Sequence, residues 1–154
     1  MDKDVKRVGV IVTDFSRVLV CEPYGYEEVD IPKGHLEIDE PLALGAVREM
    51  REETGITCDP HNIVFFKSYP YHEGTLYLYV LPVSQLPDKK DLLCTAFFKD
   101  RITGRMHPEM KGYKYISDYS EVKFYYPLQA PMKDVFHALK DFQTLIAKKE
   151  SAEQ

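Results

Sequence analysis

The sequence predicts a mixed α/β domain, and three patterns carry that prediction. Val8–Thr13 is a β-branched run of strand character. Thr75–Val83 alternates through Leu76, Leu78 and Val80, as a strand with one buried face does. Val135, Leu139, Phe142 and Ile146 recur at helical spacing, so a late segment buries one helical stripe. A strand-rich centre with one helix on either side in sequence completes the mixed class.

The elements follow in chain order. Val8–Thr13 is the first strand, Asp14–Ser16 a turn, and Val18–Cys21 a second strand. Glu28–Ile31 reads as a short third strand stopped by Pro32, with Pro32–His35 as a loop. Pro41 suits a first helical turn and Gly55 a C-terminal cap, which sets a helix over Pro41–Thr54. Asn62–Tyr69 and Thr75–Val83 are two longer strands, and Leu92–Phe98 is a further candidate. Lys99–Gly112 reads as a polar loop and Tyr113–Ile116 as a short strand. Pro131 opens the final helix, whose stripe is core packing, and Lys148–Gln154 is a frayed polar tail.

At 154 residues the chain fits one domain over 1–154, long enough to bury a sizeable core. Its net charge is −5 with no long basic run, which argues against extended nucleic acid and against a membrane surface. Cys21, Cys58 and Cys94 form no CxxC pair, so a reducing setting is expected. The start of the chain has no apolar h-region, and no run approaches the roughly 18 apolar residues of a membrane span. A cytoplasmic location is the expectation.

Gly34–Ile56 holds the chemistry. On a helix, residues three and four apart share a face, so Glu49, Glu52 and Glu53 converge. Arg48 stands four residues before Glu52 and can pair with it, while Ala43, Val47 and Met50 face the sheet. Crowded carboxylates raise each other's pKa, and a hard divalent cation removes that penalty. Mg2+ is the expected ion, with Mn2+ as an alternative. The competing account is a solvated acidic face, the ordinary fate of a Glu-rich helix.

The flanking residues decide against that account. Gly34, Glu40, Arg48, Glu49, Met50, Glu52, Glu53, Gly55 and Ile56 resemble the Nudix signature G-x5-E-x7-R-E-U-x-E-E-x-G-U, where U is aliphatic, at every fixed position. Seven such identities arise by chance in roughly one in a hundred million windows. The resemblance implies an α/β/α sandwich with a mixed central sheet, the Nudix fold. It implies a hydrolase that cleaves a nucleoside diphosphate linked to another moiety, by metal-activated attack of water on phosphorus. It makes Glu49, Glu52 and Glu53 metal ligands, with the Gly34 carbonyl completing the coordination, and it makes Arg48 an orienting residue. Glu40 becomes a secondary ligand or a salt-bridge partner. Glu49, Glu53 and a late-loop carboxylate, Glu109, stand as alternative general bases.

Specificity must come from outside the signature. Pro32–Glu37 reads PKGHLE and resembles the opening seen in diadenosine tetraphosphate hydrolases, which offers Lys33 and His35 to a polyphosphate. Tyr77 and Tyr113 lead the aromatic candidates for stacking a base, with Tyr71, Tyr79 and Tyr125 behind them; aromatics on strands are more often core. Arg101, Arg105 and Lys111 form a positive cluster that is either phosphate-directed or merely solvated, and His72 and His107 show no metal-ligand spacing. The expected substrate is a small nucleotide: a dinucleoside polyphosphate first, then ADP-ribose or a nucleotide sugar, then a modified nucleoside triphosphate. Capped RNA is disfavoured by the acidic balance. A non-catalytic Nudix-fold nucleotide sensor is the rival from another class, and a homodimer is compatible with the family.

Overall fold

The β-branched run near the N-terminus becomes β1, Lys6–Thr13, buried from Val8 onward. The computed structural model describes residues 4–152. β1 pairs in parallel with β5, Gly74–Pro82, and β5 pairs antiparallel with β4, Val64–Tyr71. Along its other edge β1 meets β2, Val18–Pro23, at Thr13, and meets β3, Lys33–His35, over Arg7–Gly9. β2 continues to β8, Met110–Ile116, giving the order β4-β5-β1-β2-β8 with β3 beside β1. A separate hairpin is built from β6, Phe97–Lys99, and β7, Met106–Pro108.

One helix covers each face of the sheet. α1, Leu42–Thr54, packs Ala46 and Met50 against Val8, Val10, Val12 and Leu19, with Ala43 and Val47 beside them. Complete burial of a Met50-sized side chain stabilises by about 2 kcal/mol. α2, Gln129–Ala152, packs Met132, Val135, Phe136 and Leu139 against Ile11, Val20, Leu76 and Leu78. The result is an α/β/α sandwich with a mixed sheet, as the sequence implied.

Several local expectations need correction. Glu28–Ile31 is no strand: it makes only isolated bridges, Cys21 with Asp30 and Val29 with Phe124. The pairing partner of β1 is instead the glycine-centred segment expected to be a loop, because β2 diverges from β1 beyond Thr13 and leaves that edge open. Leu92–Phe98 is extended but pairs only from Phe97, since its earlier amides turn to the end of α1. The expected polar loop over 99–112 contains β7 and the start of β8. α2 begins two residues before Pro131 and stays helical through Ala152, so most of the expected frayed tail is helix; residues 153–154 lie outside the described part.

Candidate active site

Three elements bring the site together. β3 presents Gly34, α1 presents its glutamates, and the turn between β7 and β8 presents Glu109. Lys33, Gly34, His35, Glu49, Glu53 and Glu109 line one cleft of about 460 Å³, together with Tyr24, Tyr26, Asp30 and Phe98. Gly34 is needed for close approach, because a Cβ there would stand 2.2 Å from Glu49 Oε2. Gly55 is needed for its backbone: it takes φ 80°, and its N–H closes α1 on the Arg51 carbonyl.

Arg48 is the hub of the signature. Its Nε and Nη2 donate to the two Glu40 oxygens at 2.8 and 2.9 Å, and Nη2 also donates to the His35 carbonyl at 3.0 Å. Its Nη1 donates to Glu49 Oε1 at 2.9 Å and to Glu52 Oε2 at 3.2 Å. Glu40 is therefore a salt-bridge partner, and its hydrogen bonds from Arg48 hold its carboxyl below the ordinary glutamate range. Glu53 turns the other way, is 4% exposed, and accepts the Lys33 N–H at 3.0 Å.

The expected convergence of Glu49, Glu52 and Glu53 is thus incomplete. The helical spacing does place them on one side of α1, but Arg48 draws Glu49 and Glu52 while the β3 amide draws Glu53. Among the described residues no group of three or more His, Cys, Asp or Glu side chains is arranged to hold a metal ion. Burial raises the Glu53 carboxyl well above its ordinary range, with Asp30 and Glu49 adding repulsion. Burial also raises Glu49, and the nearby Glu52 and Glu109 charges push the same way.

The remaining candidates separate. Glu109 makes no side-chain hydrogen bond or ion pair among the described residues. Lys33 is mostly buried; its ammonium meets Asp30 Oδ2 at 3.0 Å and lies 5.4 Å from the centre of the Tyr71 ring. Asp30 raises the Lys33 ammonium against the opposing effect of burial, so the charge is firmly kept. His35 is exposed at the rim. Tyr77 and Tyr113 are not part of the cleft. Tyr77 packs in the layer beneath α1, and the Tyr113 hydroxyl donates to the Glu53 carbonyl at 2.5 Å, bracing the end of α1. Tyr79 is also buried in that layer. Arg101 and Arg105 are exposed at the hairpin tip, and Lys111 is exposed on β8.

Sequence reasoning missed Asp30, Tyr24, Tyr26 and Phe98. A charged residue between the buried Val29 and Ile31 was the available signal for Asp30. Asp30 and Tyr26 also line a smaller pocket of about 170 Å³, which shares Tyr125 with a chamber of about 660 Å³. That chamber is walled by Tyr71, His72, Tyr125, Tyr126 and Lys133. The Tyr125 hydroxyl lies 3.0 Å from His72 Nε2, and the buried Tyr71 hydroxyl has no hydrogen-bond partner among the described residues.

Comparison with known proteins agrees with this architecture. The chain is similar in structure to a MutT of Aliivibrio salmonicida or Vibrio cholerae, at TM-score 0.61 and 19% identity, covering 88% of this chain and 99% of that one. It is similar to a bifunctional NMN adenylyltransferase/ADP-ribose pyrophosphatase of Francisella tularensis complexed with AMP and a Mn ion, at TM-score 0.63 and 16% identity. That match covers 90% of this chain but 43% of the Francisella protein, so this chain spans less than half of that relative. A C. elegans Ap4A hydrolase matches at TM-score 0.54 and 18% identity, over 92% of this chain and 98% of that one. A comparison with curated proteins finds no match. The model of the NUDIX domain matches residues 3–142, so the chain belongs to the Nudix family.

Proposed function

We propose that this chain is a Mg2+-dependent hydrolase of dinucleoside polyphosphates. The observation that carries the reading is the single cleft shared by Glu49, Glu53, Glu109 and the Gly34 backbone. These are oxygen donors only, and burial and mutual repulsion raise two of the carboxyls. Such a set fits a hard divalent cation, since neutralising those charges removes the repulsion. Glu49, Glu52, Glu53 and the Gly34 carbonyl would hold the ion, which when bound neutralises phosphate charge and acidifies water. The Mn ion in the Francisella complex is consistent with a divalent requirement.

Each residue then has a role of its own. Arg48 orients Glu49 and Glu52 and takes no part in substrate binding. Glu109 accepts the proton of the attacking water; among the described residues it is the cleft carboxylate whose side chain no hydrogen bond engages. Lys33 and His35 bind phosphate at the cleft edge. The cleft and the aromatic chamber, each sharing wall residues with the small pocket at Asp30, Tyr26 and Tyr125, support a substrate with a second bulky moiety. A nucleoside there would stack on tyrosine and set phosphate near Lys133. The Ap4A hydrolase likeness supports the dinucleoside; the ADP-ribose pyrophosphatase likeness supports a nucleotide sugar as the second reading.

The experiment is a panel of dinucleoside polyphosphates, ADP-ribose, nucleotide sugars and nucleoside triphosphates assayed with Mg2+, scoring kcat/KM and products. The dinucleoside polyphosphate is expected to lead by at least ~10-fold, the discrimination one well-placed moiety supplies. A nucleotide sugar leading by that margin would replace the first reading with the second.

A further inference from the structure

The β6–β7 hairpin stands outside the main sheet, yet Glu109 follows it directly into the cleft. The backbone of Glu109 is held on both sides. Its N–H donates to the Ala96 carbonyl at 2.8 Å, and its carbonyl accepts the Tyr24 N–H at 2.9 Å. Ala96 is itself tied to α1. The N–H groups of Thr95 and Ala96 donate to the Glu52 carbonyl at 2.7 and 3.2 Å, satisfying a helix-end acceptor. A backbone path therefore runs from the glutamate helix through Ala96 and Glu109 to the end of β2.

Aromatic rings brace that path. The Tyr24 ring stacks on His107 at 4.2 Å between centroids and 14° between planes. Phe98, the cross-strand partner of His107, closes the cluster at 5.8 Å from Tyr24 and 6.0 Å from His107. Two strands of three residues have little stability alone, so the hairpin needs such an anchor. His107 lies two residues from Glu109, so Tyr24 engages the segment twice, through its ring on His107 and through its N–H on the Glu109 carbonyl.

We propose that Tyr24 and His107 are positioning residues whose stack fixes Glu109 opposite Glu49. The inference rests on Glu109 being the base of the proposed hydrolysis. A catalytic group displaced by about 1 Å loses on the order of 100-fold in rate. Loss of the stack removes the side-chain half of the link between the hairpin and the end of β2, leaving Glu109 on its backbone bonds alone, while the α1 glutamates keep their own hydrogen bonds.

The test measures kcat and KM for Tyr24→Leu, Tyr24→Phe, Glu109→Gln and the double variant Tyr24→Leu/Glu109→Gln. Thermal melting and Mn2+ titration confirm folding and metal affinity. Tyr24→Leu is expected to lower kcat at least ~10-fold with KM within about twofold, and Tyr24→Phe to recover most of the loss. In the Glu109→Gln background, Tyr24→Leu is expected to cost nothing further. An equal second loss there, or a loss confined to KM, overturns the positioning role. Glu109→Gln at wild-type kcat instead sinks the base assignment and the clamp together. A Glu109→Gln loss with Tyr24→Leu at wild-type kcat sinks the clamp alone.

Discussion

Between Gly34 and Glu49 there is room for a hydrogen and little more, since a Cβ at position 34 would lie 2.2 Å from Glu49 Oε2. The atom in the way is the end of a flexible side chain, so the chain can fold around it by moving Glu49. Gly34→Ala should therefore lower kcat by about 10- to 100-fold with stability within about 1 kcal/mol of wild type. Unchanged kcat would show that the contact is idle. Glu40 is predicted to act through stability. Its carboxyl is held low chiefly by the Arg48 hydrogen bonds, so its contribution is present above the ordinary glutamate range and lost as pH falls through its lowered value. Glu40→Gln should cost about 1 kcal/mol near neutral pH, discounted for solvent screening, and the Tm gap should close as pH falls below the ordinary glutamate range. A gap independent of pH would contradict the ion pair. At this scale the signature residues were legible because their spacing is fixed. Asp30 was not, because its role depends on Lys33 folding back over a break between strands.

The elements show why boundaries were readable in some places and hidden in others. α1 is bounded by Pro41 and Gly55, whose backbone preferences act locally, and the structure starts it one residue later and ends it where expected. Gly55→Ala should cost about 1 kcal/mol, seen as a lower Tm, because φ 80° strains an L side chain and the Leu93 carbonyl lies 3.3 Å from the added carbon. A neutral effect would mean that the cap relaxes at no cost. β3 was illegible for the opposite reason. Nothing in Lys33–His35 favours a strand; the segment pairs because β1 leaves its edge open there. The segment around Cys94 looked like a strand but spends its amides on α1: Leu93 N–H reaches the Thr54 carbonyl at 3.0 Å. Such tertiary demands on short segments leave no local pattern.

At the scale of the whole molecule, a carboxylate cleft and an aromatic chamber flank a small pocket lined by Asp30, Tyr26 and Tyr125. The α/β/α class was legible because periodicity reports burial directly, whereas these pockets join residues far apart in the chain. Lys133→Ala should raise KM about 10-fold for a dinucleoside polyphosphate, the loss of one charge-assisted contact, and leave a nucleoside triphosphate nearly unaffected. Equal effects on both would place the second moiety elsewhere. The signature carboxylates drive a metal-dependent hydrolysis in this reading, and Glu53→Gln is the substitution that exposes it. The substitution nearly preserves shape and removes a buried charge that burial already disfavours. Turnover of a dinucleoside polyphosphate in Mg2+ should fall at least ~100-fold while Tm stays level or rises. Wild-type turnover in the variant, or no turnover by the wild type on any nucleotide despite nucleotide and metal binding, would contradict metal-dependent hydrolysis by these carboxylates.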